Sequence, residues 1–133
     1  MSNEEKAYMP TPSEKTILIV DDDRDVGEVL QTIIVQQTDY RVVWIAESDL
    51  VLMAAQHMHP SLMLLDYMMP TMDGLDLYDR LQSIDNMRGV PVVLISAKDD
   101  LPFEALRARG ISVLKKPFDL TELLDLLAQL LAH

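Results

Sequence analysis

The sequence predicts an α/β fold: a single doubly wound parallel sheet of five strands with five helices packed on its two faces. Two observations support this prediction. Short apolar runs, too short for helices, recur along the chain and suit strands buried on both faces. Segments with helical spacing of apolar residues separate them, and such alternation is typical of parallel sheets with right-handed crossovers. The predicted strands are residues 17–20, 42–45, 62–65, 92–95 and 111–114.

The first two strand–helix units are bounded by polar residues and a proline. Asp21-Asp22-Asp23 ends the first strand, and from Arg24 the apolar residues follow the spacing of one buried helix face. That face consists of Val26, Val29, Leu30, Ile33 and Ile34. Asp39 and Tyr40 end this helix. Ser48 is predicted to cap the second helix, and Pro60 to stop it before the third strand. Its predicted core residues are Val51, Ala54, Ala55 and Met58.

The remaining helices follow the third, fourth and fifth strands. Pro70 and Asp73-Gly74 indicate a loop before the third helix, and Pro91 opens the fourth strand. A short polar helix is predicted at residues 102–109, with Gly110 just past its end. The last helix is predicted at residues 120–132. The predicted core residues of the third and last helices are Leu77, Tyr78, Leu81, Ile84, Leu120, Leu123, Leu124, Leu127, Leu130 and Leu131.

Polar residues follow the predicted strands where each strand ends. They are Asp21 and Asp22, Asp66, Ser96 and Lys116. Because the carboxyl ends of parallel strands lie on one edge of the sheet, we expect these side chains to converge. Three crowded carboxylates require a cation, and an all-oxygen set favours Mg²⁺ (or Mn²⁺). Such a site suits phosphoryl transfer onto a carboxylate, with Asp66 as nucleophile.

Composition restricts the class of protein. The 133 residues fit one domain, and the formal net charge of −11 argues against direct binding to nucleic acid or to an anionic membrane. The absence of cysteine excludes disulfides and suits a cytoplasmic protein. No apolar stretch is long enough to span a membrane. Residues 1–15 are predicted to be a disordered leader or linker, and residues 16–132 the folded domain.

Four segments together make the chain resemble the receiver domain of bacterial two-component response regulators. They are residues 17–23 (ILIVDDD), 64–74 (LLDYMMPTMDG), 93–97 (VLISA) and 116–118 (KPF). The resemblance extends over residues 16–132. It implies a flavodoxin-like sheet in the order 2-1-3-4-5. It also implies a signalling switch that takes a phosphoryl group from a histidine kinase or a histidine phosphotransfer protein. Beyond its own phosphorylation and slow autodephosphorylation, such a switch is not an enzyme.

The resemblance also implies a role for each site residue. Asp66 would be the phospho-acceptor. Asp22 would bind Mg²⁺ directly, Asp21 largely through water, and Met68 through its backbone carbonyl. Ser96 would turn toward the phosphoryl group, and Lys116 would form a salt bridge with it; these assignments complete the predicted site. A cis peptide bond is expected between Lys116 and Pro117.

Two positions, Val113 and Met68, depart from common usage in that family. Val113 stands where an aromatic switch residue is frequent, which puts that mode of signal propagation in doubt. Met68 and Lys98 occupy positions that influence attack by water on the acyl phosphate. Because Met68 is apolar, we expect it to hinder that water and to give a long-lived phosphoryl state.

The sequence also allows other interpretations of the function. A phosphohydrolase resembling the haloacid dehalogenases would also use an aspartate nucleophile, but generally has a second aspartate where this chain has Met68. A phosphorylation-independent interaction module is a third interpretation. His57 and His59 are too few ligands for a metal site of their own. Leu126 widens the apolar face of the last helix, so the last helices and fifth strand could form a homodimer surface or simply a broad core face.

Overall fold

The computed structural model describes residues 15–132, which form a five-stranded parallel sheet in the order β2-β1-β3-β4-β5. The predicted order is therefore confirmed. In the register of the sheet, Ile17 lies opposite Leu62, and Asp66 lies opposite Ile95. The strands are β1 (Thr16–Val20), β2 (Arg41–Ile45), β3 (Leu62–Asp66), β4 (Val92–Ser96) and β5 (Ser112–Lys115).

Five α-helices cover the two faces of this sheet. They are α1 (Arg24–Gln37), α2 (Ser48–Ala54), α3 (Gly74–Leu81), α4 (Phe103–Ala108) and α5 (Leu120–Leu130), and a short 3₁₀ helix spans Asp85–Met87. Helices α1 and α5 bury Leu30, Ile34, Leu123 and Leu127 in one apolar cluster. Helices α2, α3 and α4 contribute Val51, Leu77, Leu81 and Leu106 to the other. The sheet is thus doubly wound, as the alternation of elements predicts.

The central strands are apolar throughout because neighbouring residues face opposite layers. Ile17 and Ile19 belong to the α1–α5 cluster, whereas Leu18 and Val20 belong to the cluster of α2, α3 and α4. All four side chains are completely buried. Full burial of one such side chain contributes about 2 kcal/mol. This burial fixes the height of β1 in the sheet, and with it the position of the acidic residues that follow.

Aspartates at the amino ends of three helices fix the loops above the sheet. Asp23 Oδ1 accepts hydrogen bonds from the Asp25 and Val26 amides at the start of α1 (2.9 and 3.3 Å). Asp73 caps α3 through the Asp76 amide (2.8 Å), and Asp119 caps α5 in the same way. Such caps typically contribute about 1 kcal/mol each. The loops that carry the site residues are therefore held at the helix they lead into.

Several predicted boundaries are wrong in detail. Ser48 is the first helical residue of α2 rather than its cap, and Glu47 precedes the helix without a capping side chain. Helix α2 ends at Ala54, before Met58, and β5 begins one residue later than predicted. Gly110 follows α4 with a φ of +70°, so its predicted role at the end of that helix is confirmed.

Two residues assigned to the core are exposed instead. Val29 on α1 is 56% exposed and Leu120 on α5 is 41% exposed. Both line an apolar groove between α1 and the segment that leads from β5 into α5. Helical periodicity places them on the buried side, but in the structure they line this groove instead of packing into the core.

Residues 1–14 of the predicted leader lie outside the described residues. Lys15 is described, and its carbonyl accepts a hydrogen bond from the Arg41 amide (2.9 Å). Its ammonium group also donates to the carbonyl of Leu131. Between residues 15 and 132, no helix combines the length and the hydropathy that a bilayer-spanning segment requires.

Candidate functional site

The polar residues predicted from the strand ends meet at the carboxyl edge of the sheet. Asp66 and Ser96 are the last residues of β3 and β4, and Asp21 and Asp22 directly follow β1. Lys116 directly follows β5, and its amide donates to the carbonyl of Ser96 (2.9 Å). The sheet order places β3 between β1 and β4, so Asp66 lies at the centre of the group.

Three carboxylates form the acidic part of this site. One oxygen each from Asp21, Asp22 and Asp66 lies within 4.8 Å of the other two. Asp21 is 1% exposed and Asp66 is 8% exposed, whereas Asp22 is open to solvent. Among the described residues, this is the only cluster of three or more His, Cys, Asp or Glu side chains with ligand atoms this close.

The hydrogen bonds to these carboxylates leave one buried oxygen without a partner. Asp21 Oδ1 accepts from the Asp23 amide (2.9 Å), and Asp66 Oδ1 accepts from the Met68 amide (3.3 Å). Asp21 Oδ2 is buried and has no hydrogen-bond partner. A buried carboxylate oxygen in this state is costly unless a cation or a donor reaches it.

The same burial raises the pKa of both inner carboxyl groups. Loss of solvation raises the pKa of Asp21 to about 6, and the negative charges of Asp66 and Asp22 add to that effect. Desolvation also raises the pKa of Asp66, while the Lys116 ammonium opposes it. When ionised, the three carboxylates therefore carry more negative charge than the Lys116 ammonium neutralises.

This donor set fits a small divalent cation. Three carboxylates supply oxygen ligands only, which is the preference of Mg²⁺ and Mn²⁺. The unpartnered Asp21 Oδ2 and the raised pKa values both indicate an arrangement that a positive charge would complete. The exposed Asp22 leaves one side open to water or to an incoming oxygen ligand.

Ser96 is the last residue of β4, and Lys98 belongs to the loop that follows it. Ser96 is buried, and its Oγ accepts a hydrogen bond from the Lys98 amide (3.0 Å). The Lys98 ammonium lies 5.9 Å from the centre of the Tyr67 ring. The Lys116–Pro117 peptide bond is cis, as the resemblance implies.

The two unusual positions occupy different environments. Met68 is 60% exposed beside Asp66, whereas Val113 on β5 is half-buried against the core.

The sequence analysis gives no role to Tyr67, which is buried next to Asp66 and is covered by Lys98. The feature of the sequence that could have indicated Tyr67 is an aromatic residue directly after the central strand. The rings of His57 and His59 join no metal-ligand cluster within the described chain, and His59 Nδ1 pairs with the carbonyl of Asn86.

A parallel sheet in this order, with acidic residues, a serine and a lysine at its carboxyl edge, defines the class of receiver domains. A family model described as the response regulator receiver domain matches residues 17–128. The chain belongs to this family, whose members act in two-component signalling.

Individual relatives agree with this assignment. An uncharacterized transcriptional regulatory protein of Bacillus subtilis, YbdJ, is 34% identical over 118 residues, which cover 88% of this chain and 51% of that protein. The chain thus spans about half the length of this relative.

Solved structures share the fold. A CheY-like receiver domain protein of Methanospirillum hungatei has a TM-score of 0.81 at 24% identity, covering 90% of this chain and 94% of that one. The receiver domain of the sensor histidine kinase PA1611 of Pseudomonas aeruginosa, solved with magnesium in its active-site cleft, has a TM-score of 0.79 at 24% identity. The match covers 91% of this chain and all of that one (100%).

Proposed function

We propose that this chain is a phospho-accepting switch, in which Asp66 receives a phosphoryl group from a histidine kinase or a histidine phosphotransfer protein. The observation that carries the proposal is the convergence of three carboxylates within 4.8 Å at the sheet edge, with one buried oxygen left without a partner. Membership of the receiver family supports the same reading.

The chemical step uses an oxygen of Asp66 as the nucleophile. That oxygen attacks the phosphorus of a phosphohistidine in line, an O–P bond forms, and the N–P bond breaks while the imidazole nitrogen takes up a proton. Lys116 is the cation that we assign to the developing charge, since its ammonium group lowers the pKa of Asp66 and of Asp21. Ser96, at the end of the adjacent strand, supplies a hydroxyl donor to the phosphoryl oxygens.

A divalent cation would be held by Asp22, by Asp66 and by the backbone carbonyl of Met68, with Asp21 assisting largely through water. When bound, it would neutralise negative charge on the phosphoryl oxygens. The related domain of PA1611 holds magnesium in its active-site cleft. In this chain, the support is the carboxylate cluster itself.

The signal is read through a change in the loop after β4. Once Asp66 carries a phosphoryl group, Ser96 turns toward it and gives up the hydrogen bond from the Lys98 amide. The equilibrium between two loop positions then shifts, and a partner or a second copy at α4, β5 and α5 senses it. Leu126 on α5 is half-buried against the cluster that α1 and α5 share.

Intact mass spectrometry after incubation with acetyl phosphate and Mg²⁺ tests the proposal. We expect one added phosphoryl group in the wild type and none in Asp66→Asn or without Mg²⁺. Asp39→Asn, an exposed carboxylate outside the site, is the matched control and should be labelled like the wild type. Equal labelling of Asp66→Asn, or multiple turnover on a phosphomonoester, would overturn the proposal.

A further inference from the structure

Trp44, on the edge strand β2, is bonded to the acidic turn that follows β1. Its indole Nε1–H donates a hydrogen bond to the carbonyl oxygen of Asp21 (2.9 Å). The amide of Asp21 donates to the carbonyl of Ile45, the next residue on the same strand (3.3 Å). Both backbone polar groups of Asp21 are therefore held by β2.

The indole ring packs against α1 at Gly27, a position that has no side chain. A Cβ atom added to Gly27 would lie 2.2 Å from Trp44 Cε2 and 2.6 Å from Nε1, so the ring rests directly on the helix backbone. Trp44 also packs against the apolar cluster beneath α1 and α5. Because the ring cannot slide toward α1, the direction of its N–H bond is set by packing.

The hydrogen bond acts on the link between two of the clustered carboxylates. The carbonyl of Asp21 and the amide of Asp22 belong to one planar peptide unit, so fixing that carbonyl fixes the unit. The side chains of these residues leave from its two ends. The indole therefore sets how the Asp21 and Asp22 carboxylates are oriented toward each other and toward Asp66.

We propose that Trp44 is a positioning residue for the divalent-cation site, through the hydrogen bond from its indole N–H to Asp21. The inference rests on the cation site of the proposed function. Metal sites tolerate only small displacements of their ligands, and groups that orient the ligands affect affinity strongly.

A simpler role for Trp44 would be packing, with the hydrogen bond serving only the indole. The two roles differ in what the loss of the N–H group does. If Trp44 only packs, its replacement lowers stability and leaves cation affinity unchanged. If it positions the peptide unit, the buried carbonyl of Asp21 loses its donor, the turn relaxes, and the cation binds more weakly.

The first test compares Trp44→Phe with Val42→Ala. Phenylalanine keeps an aromatic ring but has no N–H donor. Val42 lies on the same strand and packs against the same cluster, so its truncation controls for lost packing. Mg²⁺ affinity is measured by isothermal titration calorimetry, and stability by the urea midpoint. We expect Mg²⁺ binding about tenfold weaker in Trp44→Phe and essentially unchanged in Val42→Ala.

A second variant removes the donor with almost no change of shape. Trp44 is the only tryptophan in the chain, so residue-type replacement by an analogue with sulfur in place of the indole N–H alters this position alone. We expect this protein to stay folded, with a urea midpoint lowered only by the loss of this one hydrogen bond, and to lose Mg²⁺ affinity nearly as Trp44→Phe does. This comparison decides the question even where Trp44→Phe folds poorly.

The possible outcomes distinguish the positioning role of Trp44 from the proposed function on which it rests. If the wild type binds Mg²⁺ and the sulfur analogue binds it equally well, the positioning role is overturned and the proposed switch stands. If the wild type shows no Mg²⁺ binding at all, the cation site itself is overturned, and the role of Trp44 with it.

Discussion

One carboxylate oxygen of Asp21 lies within 4.8 Å of one carboxylate oxygen of Asp66, across the neighbouring strands β1 and β3. Both side chains are nearly buried, so the fold brings two like charges together where solvent cannot screen them. This arrangement opposes stability. Burial of the carboxyl group, followed by the nearby charge of Asp66, raises the pKa of Asp21 to about 6. Groups that destabilise a fold in this way are typical of functional sites.

Asp21→Asn is expected to change stability and cation binding in opposite senses. The asparagine side chain still has an oxygen that accepts the hydrogen bond from the Asp23 backbone amide, but it carries no charge. Because a buried charge is removed, the metal-free protein should be more stable at pH 7.5 by up to about 2 kcal/mol. Mg²⁺ affinity should fall about tenfold because one ligand charge is lost. Urea unfolding and calorimetry measure the two effects. A variant less stable than the wild type would contradict the first, and Asp39→Asn should change neither.

The stability of the metal-free protein should fall with rising pH in the range where Asp21 titrates, because the pKa of Asp21 is raised in the folded state. Its pKa is about 6 in the folded protein and near 3.8 when unfolded, so between these values the folded state binds more protons. The contribution of Asp21 to the free energy of unfolding is therefore full below about pH 4 and is lost as the pH rises through about 6. Urea midpoints from pH 4 to 7.5, with Asp21→Asn as reference, should show this difference. Saturating Mg²⁺ should reduce it, because the bound cation favours the ionised form.

The strands, and the meeting of the acidic residues at their ends, were predictable from the sequence for one physical reason. Strands buried on both faces must be continuously apolar, so Asp66 and Ser96 mark the place where β3 and β4 leave the core. The parallel arrangement then requires these residues to share an edge with Asp21 and Asp22. The convergence of the acidic residues therefore followed from topology alone.

The features that the sequence did not predict depend on which residues meet in space, and helical periodicity does not specify this. Val29 and Leu120 satisfy the helical spacing of a core residue, but they line a groove between α1 and the segment before α5 and stay exposed. The contact of Trp44 with Gly27 joins residues far apart in sequence, and its only sign was a glycine on the buried face of a helix. Contacts of this kind require knowledge of how α1 lies over β2.

Gly27→Ala should destabilise the protein although alanine favours helices. In an open helix the exchange would add about 0.5 to 1 kcal/mol of stability. Here the new Cβ would lie 2.2 Å from the indole, and relieving that overlap costs about 1 to 3 kcal/mol or more. Urea unfolding measures the net loss. Glu28→Ala, on the exposed side of the same helix, is the control, and a stabilised Gly27→Ala would show that the ring is free to move.

Met68 is expected to prolong the phosphorylated state. Its amide donates to Asp66 Oδ1, and its apolar side chain stands exposed beside that carboxylate, where attacking water would have to approach. The wild type should lose its phosphoryl group over minutes or longer in Mg²⁺. Met68→Asn should lose it about fivefold faster, which corresponds to about 1 kcal/mol in the barrier. Met53→Asn, an exposed methionine on α2, is the matched control. A wild-type half-life of seconds would contradict this expectation.

The Lys98 amide should report the switch directly. In the unphosphorylated protein it donates to Ser96 Oγ (3.0 Å), which should slow its exchange with solvent. If Ser96 turns toward a phosphoryl group on Asp66, this hydrogen bond breaks, and the amide should exchange faster once the chain is labelled with acetyl phosphate and Mg²⁺. Hydrogen exchange followed by NMR measures the change. In Ser96→Ala the amide should exchange quickly in both states, because its acceptor is absent. The Tyr67 amide, bonded to the carbonyl of Ile95 within the sheet (3.0 Å), is the internal control. Unchanged protection of Lys98 in the fully phosphorylated wild type would mean that Ser96 stays in place, and the signal would then have to leave the site by another route.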